Sequence, residues 1–169
     1  MTDLTIRPYH ASDLDRCREL WTELTQYHRD IYADPSIGGA TPGQYFDKHL
    51  ARAGAERLWV AELSGQVVGL TGLVVDGQEA ELEPLVVAAP YRGTGIGRAL
   101  TDHAIQEARK LNVLYLSVRP VARNSDAISF FFNGGFRTLG HIELFMDLNP
   151  PTADPWKPGP TLFGHRFKY

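Results

Sequence analysis

The sequence predicts a mixed α/β fold, a single domain built on a mixed sheet with the element order βααβββαβαββ. Three observations carry it. An apolar strand runs straight into a glycine-rich turn and an amphipathic helix over residues 82–100, LEPLVVAAPYRGTGIGRAL. Two β-rich stretches, 57–63 and 66–75, are separated by Ser64-Gly65, a hairpin signal. Two helical patterns precede them, and a strand, a short helix and a further β-like stretch follow the glycine turn.

Each element follows from local chemistry. Residues 4–7 alternate and stop at Pro8, a short strand. Ser12 is a candidate N-cap for a helix over 13–28, whose Leu14, Cys17, Trp21 and Leu24 recur at helical spacing. Residues 29–43 are turn-rich, and Pro42 opens a second helix over 42–53. Gly77 marks a turn before the strand at 79–88. After the glycine turn, Ile96, Leu100, Ala104, Ala108 and Leu111 make one helical face. Residues 113–118 read as a strand and 124–133 as a helix ended by Gly134-Gly135. Residues 136–148 read as two closing strands broken at Gly140. Residues 1–148 are expected to form the domain. The tail at 149–169 is rich in proline and aromatic residues, and is expected to pack on the domain or on a partner subunit.

Composition narrows the function. The 169 residues carry a formal net charge of −3, without the basic excess of a general nucleic-acid binder. No apolar run approaches the roughly 18–20 residues of a membrane span. The first ten residues, MTDLTIRPYH, do not resemble a signal peptide, and the single Cys17 suits a reducing cytoplasm. Cys17 shares its helical face with Leu14, Trp21 and Leu24, so it reads as core and no covalent acyl-enzyme is expected. His49, His103, His141 and His165 lack metal-ligand spacing, so no metal site is expected.

Strand, glycine turn and helix together form a phosphate cradle. Unobstructed backbone N–H groups point to one place, and the positive end of the helix dipole lies there too. Spacing selects the phosphate carrier. Arg98 stands where the third glycine of G-x-G-x-x-G would be, and the Lys-Ser/Thr of a P-loop is missing. The pattern that fits is R-x-x-G-x-G, read as Arg92, Gly95 and Gly97.

This motif resembles the acetyl-CoA pyrophosphate loop of the GNAT N-acetyltransferase superfamily. Asn124, Ala127, Phe130-Phe131 and Gly135-Phe136 are similar to its second CoA signature. The resemblance implies a splayed central sheet and acetyl-CoA as co-substrate. It implies that Arg92, Gly93, Thr94, Gly95, Ile96, Gly97 and Arg98 hold the pyrophosphate, Thr94 adding a hydroxyl. Leu85, Val86 and Val87 would pair with the pantetheine arm like an added strand, with a backbone N–H near Leu85 or Val86 polarising the thioester. Asn124 would sit near the pantetheine or hold local backbone. Phe131 stands where the family often has a tyrosine that protonates the leaving thiolate. Either water suffices there, or Ser129 or Tyr115 donates, or the chain binds acyl-CoA without rapid turnover. Pro90 replaces a common acidic residue at the strand end, without harm.

Amine acetylation requires a base. Glu81 and Glu83 are two apart on a strand and face one side, with Leu85 and Val87 continuing it. Glu83, nearer the thioester, is the expected base and Glu81 the second candidate, burial raising the carboxyl into a useful range. By the resemblance, the first two helices and their loop wall the acceptor site, giving Trp21, Tyr27, His28, Asp30, Tyr32 and Asp34. Aromatic faces and carboxylates suit a small cationic amine. Asp34-Pro35 also reads as a plain turn start, and His28 as a surface or helix-end residue. The expected reaction is direct attack of an amine on acetyl-CoA in a ternary complex. A non-catalytic acyl-CoA-binding or sensing domain and a protein N-acetyltransferase are the alternatives. Nucleic-acid and membrane partners are not expected, and a homodimer is possible by analogy.

Overall fold

The structure, a computed structural model, describes residues 4–149 and 156–169; part of the proline-rich stretch of the expected tail lies outside them. The chain divides into two compact units, Met1–Arg119 and Pro120–Tyr169.

The first unit carries a five-stranded sheet in the order β1-β2-β3-β4-β5. Its strands are β1 (Leu4–Pro8), β2 (Leu58–Leu63), β3 (Gln66–Asp76), β4 (Glu79–Val87) and β5 (Tyr115–Ser117). The first four pair antiparallel, and β5 joins β4 in parallel. The β2–β3 turn places Ser64 and Gly65 at φ 51° and 79°, the positive pair that a tight hairpin requires. Three helices complete the unit: α1 (Leu14–Tyr32), α2 (Tyr45–Ala53) and α3 (Ile96–Lys110).

Successive strand residues face opposite sides of a sheet, and the core divides accordingly. Val60 packs in a cluster with Cys17 and Leu20 of α1, Phe46 of α2, Leu58, Leu70 and Val86. Its neighbour Ala61 packs with Val68 and with Ile96 and Leu100 of α3. Cys17 is fully buried, and burial pushes its thiol up to about 12, as a core residue requires.

The start of α1 differs from expectation. Ser12 does not cap it. Residues 11–13 form a 3-10 turn, and the helix begins at Leu14. Asp13 stands at the N-cap position but its side chain caps no helix amide; its carboxylate turns back to accept from His10 N at 2.8 Å and from both Arg7 Nη atoms at 2.8 and 2.9 Å. The Arg7 guanidinium holds the Asp13 carboxyl below its ordinary value and also meets Glu62 at 2.6 Å. α1 then runs past the expected end at His28 to Tyr32, where Ala33 closes it in a left-handed conformation at φ 53°.

Two irregularities position β4. Its register against β3 passes from Thr71↔Leu85 to Leu73↔Leu82, so Glu83 and Pro84 together oppose Gly72 in a bulge. A Cβ on Gly72 would lie 2.8 Å from Glu83 O and against Leu58, so only glycine admits this approach. On its other edge β4 pairs with β5 at Glu79, Ala80 and Glu81 only. The strand continues to Val87, so β4 and β5 part beyond Glu81.

In the second unit, α4 (Ser125–Asn133) is capped by Asn124, whose Oδ1 accepts from Ala127 N at 3.0 Å. Phe131 is buried there between Phe130 and Phe136, at ring separations of 5.3 and 5.6 Å. The closing strands expected at 136–148 do not form. Strand pairing occurs instead between β6 (Pro158–Leu162) and β7 (His165–Lys168), across a Phe163-Gly164 turn with φ 52° and 79°. Alternation marks a strand only where a ladder and a core receive it, and residues 139–148 remain largely exposed. The β6–β7 hairpin closes locally, through a two-residue turn of the favoured twist.

Candidate active site

The glycine loop leaves the end of β4 through a 3-10 turn over 89–91. Gly93 and Gly95 take φ values of 76° and 92°, and a Cβ at either would meet nothing within 4 Å. The conformation therefore demands glycine, and the space above it is open. Gly95 is the N-cap of α3, and no side chain caps it. The first-turn amides of a helix lack intrahelical partners, so α3 presents free N–H groups and its positive dipole end here. The Thr94 hydroxyl, expected on the pyrophosphate, donates to Tyr91 O at 2.6 Å and fixes the loop. Arg92 anchors the loop to the strand, donating to Val87 O at 3.0 Å, and lies 5.3 Å over the Tyr27 ring. Arg98 is bound to Asp102 at 2.9 and 3.0 Å along the helix.

The open edge of β4 leads to this loop. Ala88 N donates to Val68 O at 2.9 Å, toward β3. Successive strand residues direct their N–H and C=O groups to alternate edges. Leu85 and Val87 thus face the edge that β5 has left, whereas Val86 faces β3 and buries its side chain.

A charged group stands where β4 and β5 part. Arg52, in the last turn of α2, reaches both carboxylates: Nη1 lies 3.2 Å from Glu83 Oε2 and Nη2 lies 3.7 Å from Glu81 Oε2. Arg119, two residues beyond β5, lies 3.2 Å from Glu81 Oε2. Glu81 and Glu83 share one side of the strand, as their spacing predicts. The Glu81 side chain is 13% exposed and that of Glu83 34%. Burial pushes the Glu81 carboxyl above its ordinary value and the Glu83 charge adds to this, with Arg119 and Arg52 opposing. His49, also on α2, places Nδ1 3.9 Å from Glu83 Oε1 and lies against Trp21, the rings tilted by 38° with centroids 5.1 Å apart. Burial draws its imidazole down to about 4, Arg52 adding and a hydrogen bond with the Glu83 backbone opposing. His49 is therefore neutral, and its buried Nε2 has no hydrogen-bond partner.

The acceptor residues expected from the sequence divide. Trp21 joins this group through His49, while its other neighbour, Phe46, belongs to the core. Tyr27 belongs with Arg92 and the loop. His28 and Tyr32 follow Trp21 by about 10 and 16 Å along α1 at ~1.5 Å per residue. Burial lowers the His28 imidazole. Asp30 accepts from Gln26 at 2.9 Å, and Asp34 accepts from Ser36 N and Oγ at 2.8 and 2.6 Å, the plain turn. Nothing in the sequence marks His49, Arg52 and Arg119 as site residues. They join Glu81 and Glu83 from far along the chain, and no local spacing signals them.

No group of His, Cys, Asp and Glu able to hold a metal occurs among the described residues, and no described helix is long and apolar enough to cross a membrane.

Known proteins resemble this chain in sequence and in fold. N-acetyltransferase 8F1 of Mus musculus is 30% identical over 96 residues, covering 53% of this chain and 42% of the mouse protein. An uncharacterized N-acetyltransferase of Methanocaldococcus jannaschii is 26% identical over 139 residues, 78% of this chain and 60% of its own. The chain thus spans about half the length of these curated relatives. Among solved structures, a GNAT-family acetyltransferase of Staphylococcus aureus Mu50 superposes with a TM-score of 0.69 at 19% identity, over 90% of this chain and 94% of that one. An aminoglycoside N-acetyltransferase in complex with CoA gives 0.66 at 14% identity, over 88% and 97%. The family described as Acetyltransferase (GNAT) matches residues 14–136. On that match, with the splayed sheet and its glycine loop, the chain belongs to the GNAT acetyltransferase family.

Proposed function

We propose that this protein is an acetyl-CoA-dependent N-acetyltransferase acting on a small primary amine by direct attack in a ternary complex. The observation that carries the reading is the unpaired edge of β4, running from the two carboxylates past Leu85 and Val87 into the open helix N-terminus of α3.

The pyrophosphate of CoA takes the backbone amides of residues 93–98, where an anion meets free N–H groups and the helix dipole. The pantetheine arm pairs with Leu85 and Val87 as an added strand, displacing Arg92 from Val87 O. Leu85 N–H then donates to the thioester oxygen as negative charge develops on it, a role worth ~2.7–4 kcal/mol. The amine arrives as an ammonium and must lose a proton. Glu83 lies two residues from Leu85, across the bulge, within reach directly or through one water. Glu81, twice as far, is the second acceptor in a relay. Attack of the neutral nitrogen on the thioester carbon forms the amide bond and breaks the C–S bond. As the CoA thiolate leaves, the nitrogen gives up its second proton to water and the thiolate takes one from water, so the products are the neutral amide and the CoA thiol. Tyr115, considered as a donor from the sequence, pairs with Glu79, about 20 Å along β4 from Leu85, too far to serve.

Release of free CoA thiol from acetyl-CoA over a panel of primary amines tests this. Turnover with one class of amine supports the enzyme. CoA binding by calorimetry without turnover across the panel favours a non-catalytic acyl-CoA-binding domain.

A further inference from the structure

The charged group at the parting of β4 and β5 says more about the acceptor than that it is an amine. Resting on the acetyl-transfer reading, we infer that Arg52 is a specificity residue that binds a carboxylate of the acceptor, which is an α- or β-amino acid rather than a simple amine or a polyamine.

Charge balance comes first. Two carboxylates, Glu81 and Glu83, face two guanidinium groups, Arg52 and Arg119, and His49 beside them is neutral. The group is closed on itself. An ammonium that binds Glu83 must share that carboxylate with Arg52, which already holds it at 3.2 Å. A simple amine adds one uncompensated positive charge beside two arginines, and a polyamine adds more. A zwitterion adds no net charge: its ammonium shares Glu83 and, in exchange, its carboxylate takes donors that Arg52 leaves unused, the Arg52–Glu83 contact persisting.

Arg52 is free to make that exchange. A guanidinium has five N–H donors, and among the described residues Arg52 uses one hydrogen bond, to Glu83. Its contact with Glu81, at 3.7 Å, is an ion pair beyond hydrogen-bond length. The side chain is 53% exposed, so its remaining donors face solvent in the fork arrangement that suits a carboxylate. Arg119, 71% exposed, adds positive potential from the β5 side.

Distance sets the class. An ammonium on Glu83 and a carboxylate on Arg52 flank a pair 3.2 Å apart. With hydrogen bonds of about 2.9 Å, nitrogen and carboxylate oxygen then lie within about 3–5 Å of each other. That is the separation across one or two carbons. Trp21, packed against His49, gives the acceptor's side chain an aromatic neighbour at the same place.

The test compares amino acids with amines that lack only the carboxylate, such as leucine with isoamylamine, phenylalanine with phenethylamine, and lysine with cadaverine. CoA-thiol release is measured with the wild-type protein and with Arg52→Gln and Arg52→Lys. The expected wild-type result is a kcat/KM at least about tenfold higher for the acid of each productive pair, the effect of one charge-assisted contact. Arg52→Gln raises KM for the acid about 10- to 100-fold, leaves KM for acetyl-CoA unmoved and collapses the preference; Arg52→Lys retains part of it. If Arg52→Gln does not fold, the wild-type ratio and Arg52→Lys decide. Amines used as well as their acids, or a preference that survives Arg52→Gln, overturn the inference while acetyl transfer stands. Absence of turnover with every acceptor, CoA still binding, overturns the acetyl-transfer reading and this inference with it.

Discussion

Arg52 and Glu83, 31 residues apart in the chain, meet at 3.2 Å where the sheet stops pairing. The contact ties the end of α2 to the strand that leads to the glycine loop. Helix, carboxylate and open strand edge thus share one place, and the chemistry follows from that junction.

Glu83→Gln removes the proton acceptor nearest Leu85. We expect kcat/KM to fall about 10²- to 10⁴-fold with KM for acetyl-CoA unmoved. Glu81→Gln should cost less, because Glu81 is two residues further from Leu85. A kcat/KM unchanged in Glu83→Gln would take Glu83 out of the role, and a greater loss in Glu81→Gln would give it to the more buried carboxyl.

Gly95→Ala forces a side chain into φ 92°, where a Cβ is strained although space is open. The strain of about 1–3 kcal/mol distorts the first turn of α3 and its free amides. We expect the Kd for CoA, measured calorimetrically, to rise about tenfold or more, whereas Kd equal to wild type would remove the loop from the pyrophosphate role.

Gly72→Ala acts on stability first. Its methyl would stand 2.8 Å from the backbone oxygen of Glu83 and against Leu58. The expected cost is about 1–3 kcal/mol, read as a lower midpoint in urea. Because the same contact seats the bulge that carries Glu83, the fraction that folds should also lose kcat.

Acid pH reaches the site through His49. Its folded pKa of about 4 lies below the unfolded value of about 6.5, so the folded state resists protonation. The His49 contribution is intact above about pH 6.5 and is lost as pH falls from there to about 4. The slope is about 1.4 kcal/mol per pH unit, and His49→Gln should flatten it. Asp13, held below its ordinary value by Arg7, adds a second loss at still lower pH, because its stabilisation needs the ionised carboxylate. An equal slope in wild type and His49→Gln would assign the acid sensitivity elsewhere.

Much of this was legible in the residues alone. Gly93 and Gly95 announce a backbone that only glycine adopts, and the strand and helix around them have unambiguous periods. The two-residue spacing of Glu81 and Glu83 places both on one side of a strand, and the structure keeps it so. The arginines were not legible. Arg52 ends a helix and Arg119 follows a strand, positions where a basic residue ordinarily faces solvent, and only the fold brings both to one carboxylate pair. Residues 136–148 mislead for the opposite reason: their alternation is real, but a strand exists only with a partner, and the ladder formed over 158–168 instead. Asn124 and Thr94 are polar residues whose hydrogen bonds close locally, a cap and a loop brace, uses that a motif does not distinguish from ligand contact.

The position of the thioester is the decisive observation. A crystal structure with a non-hydrolysable acetyl-CoA analogue should place the carbonyl oxygen about 2.7–3.1 Å from Leu85 N, with the pyrophosphate on the amides of residues 93–98 and the acetyl group facing Glu83. A cofactor bound away from the β4 edge, or a thioester turned from Leu85 and Glu83, would contradict the mechanism.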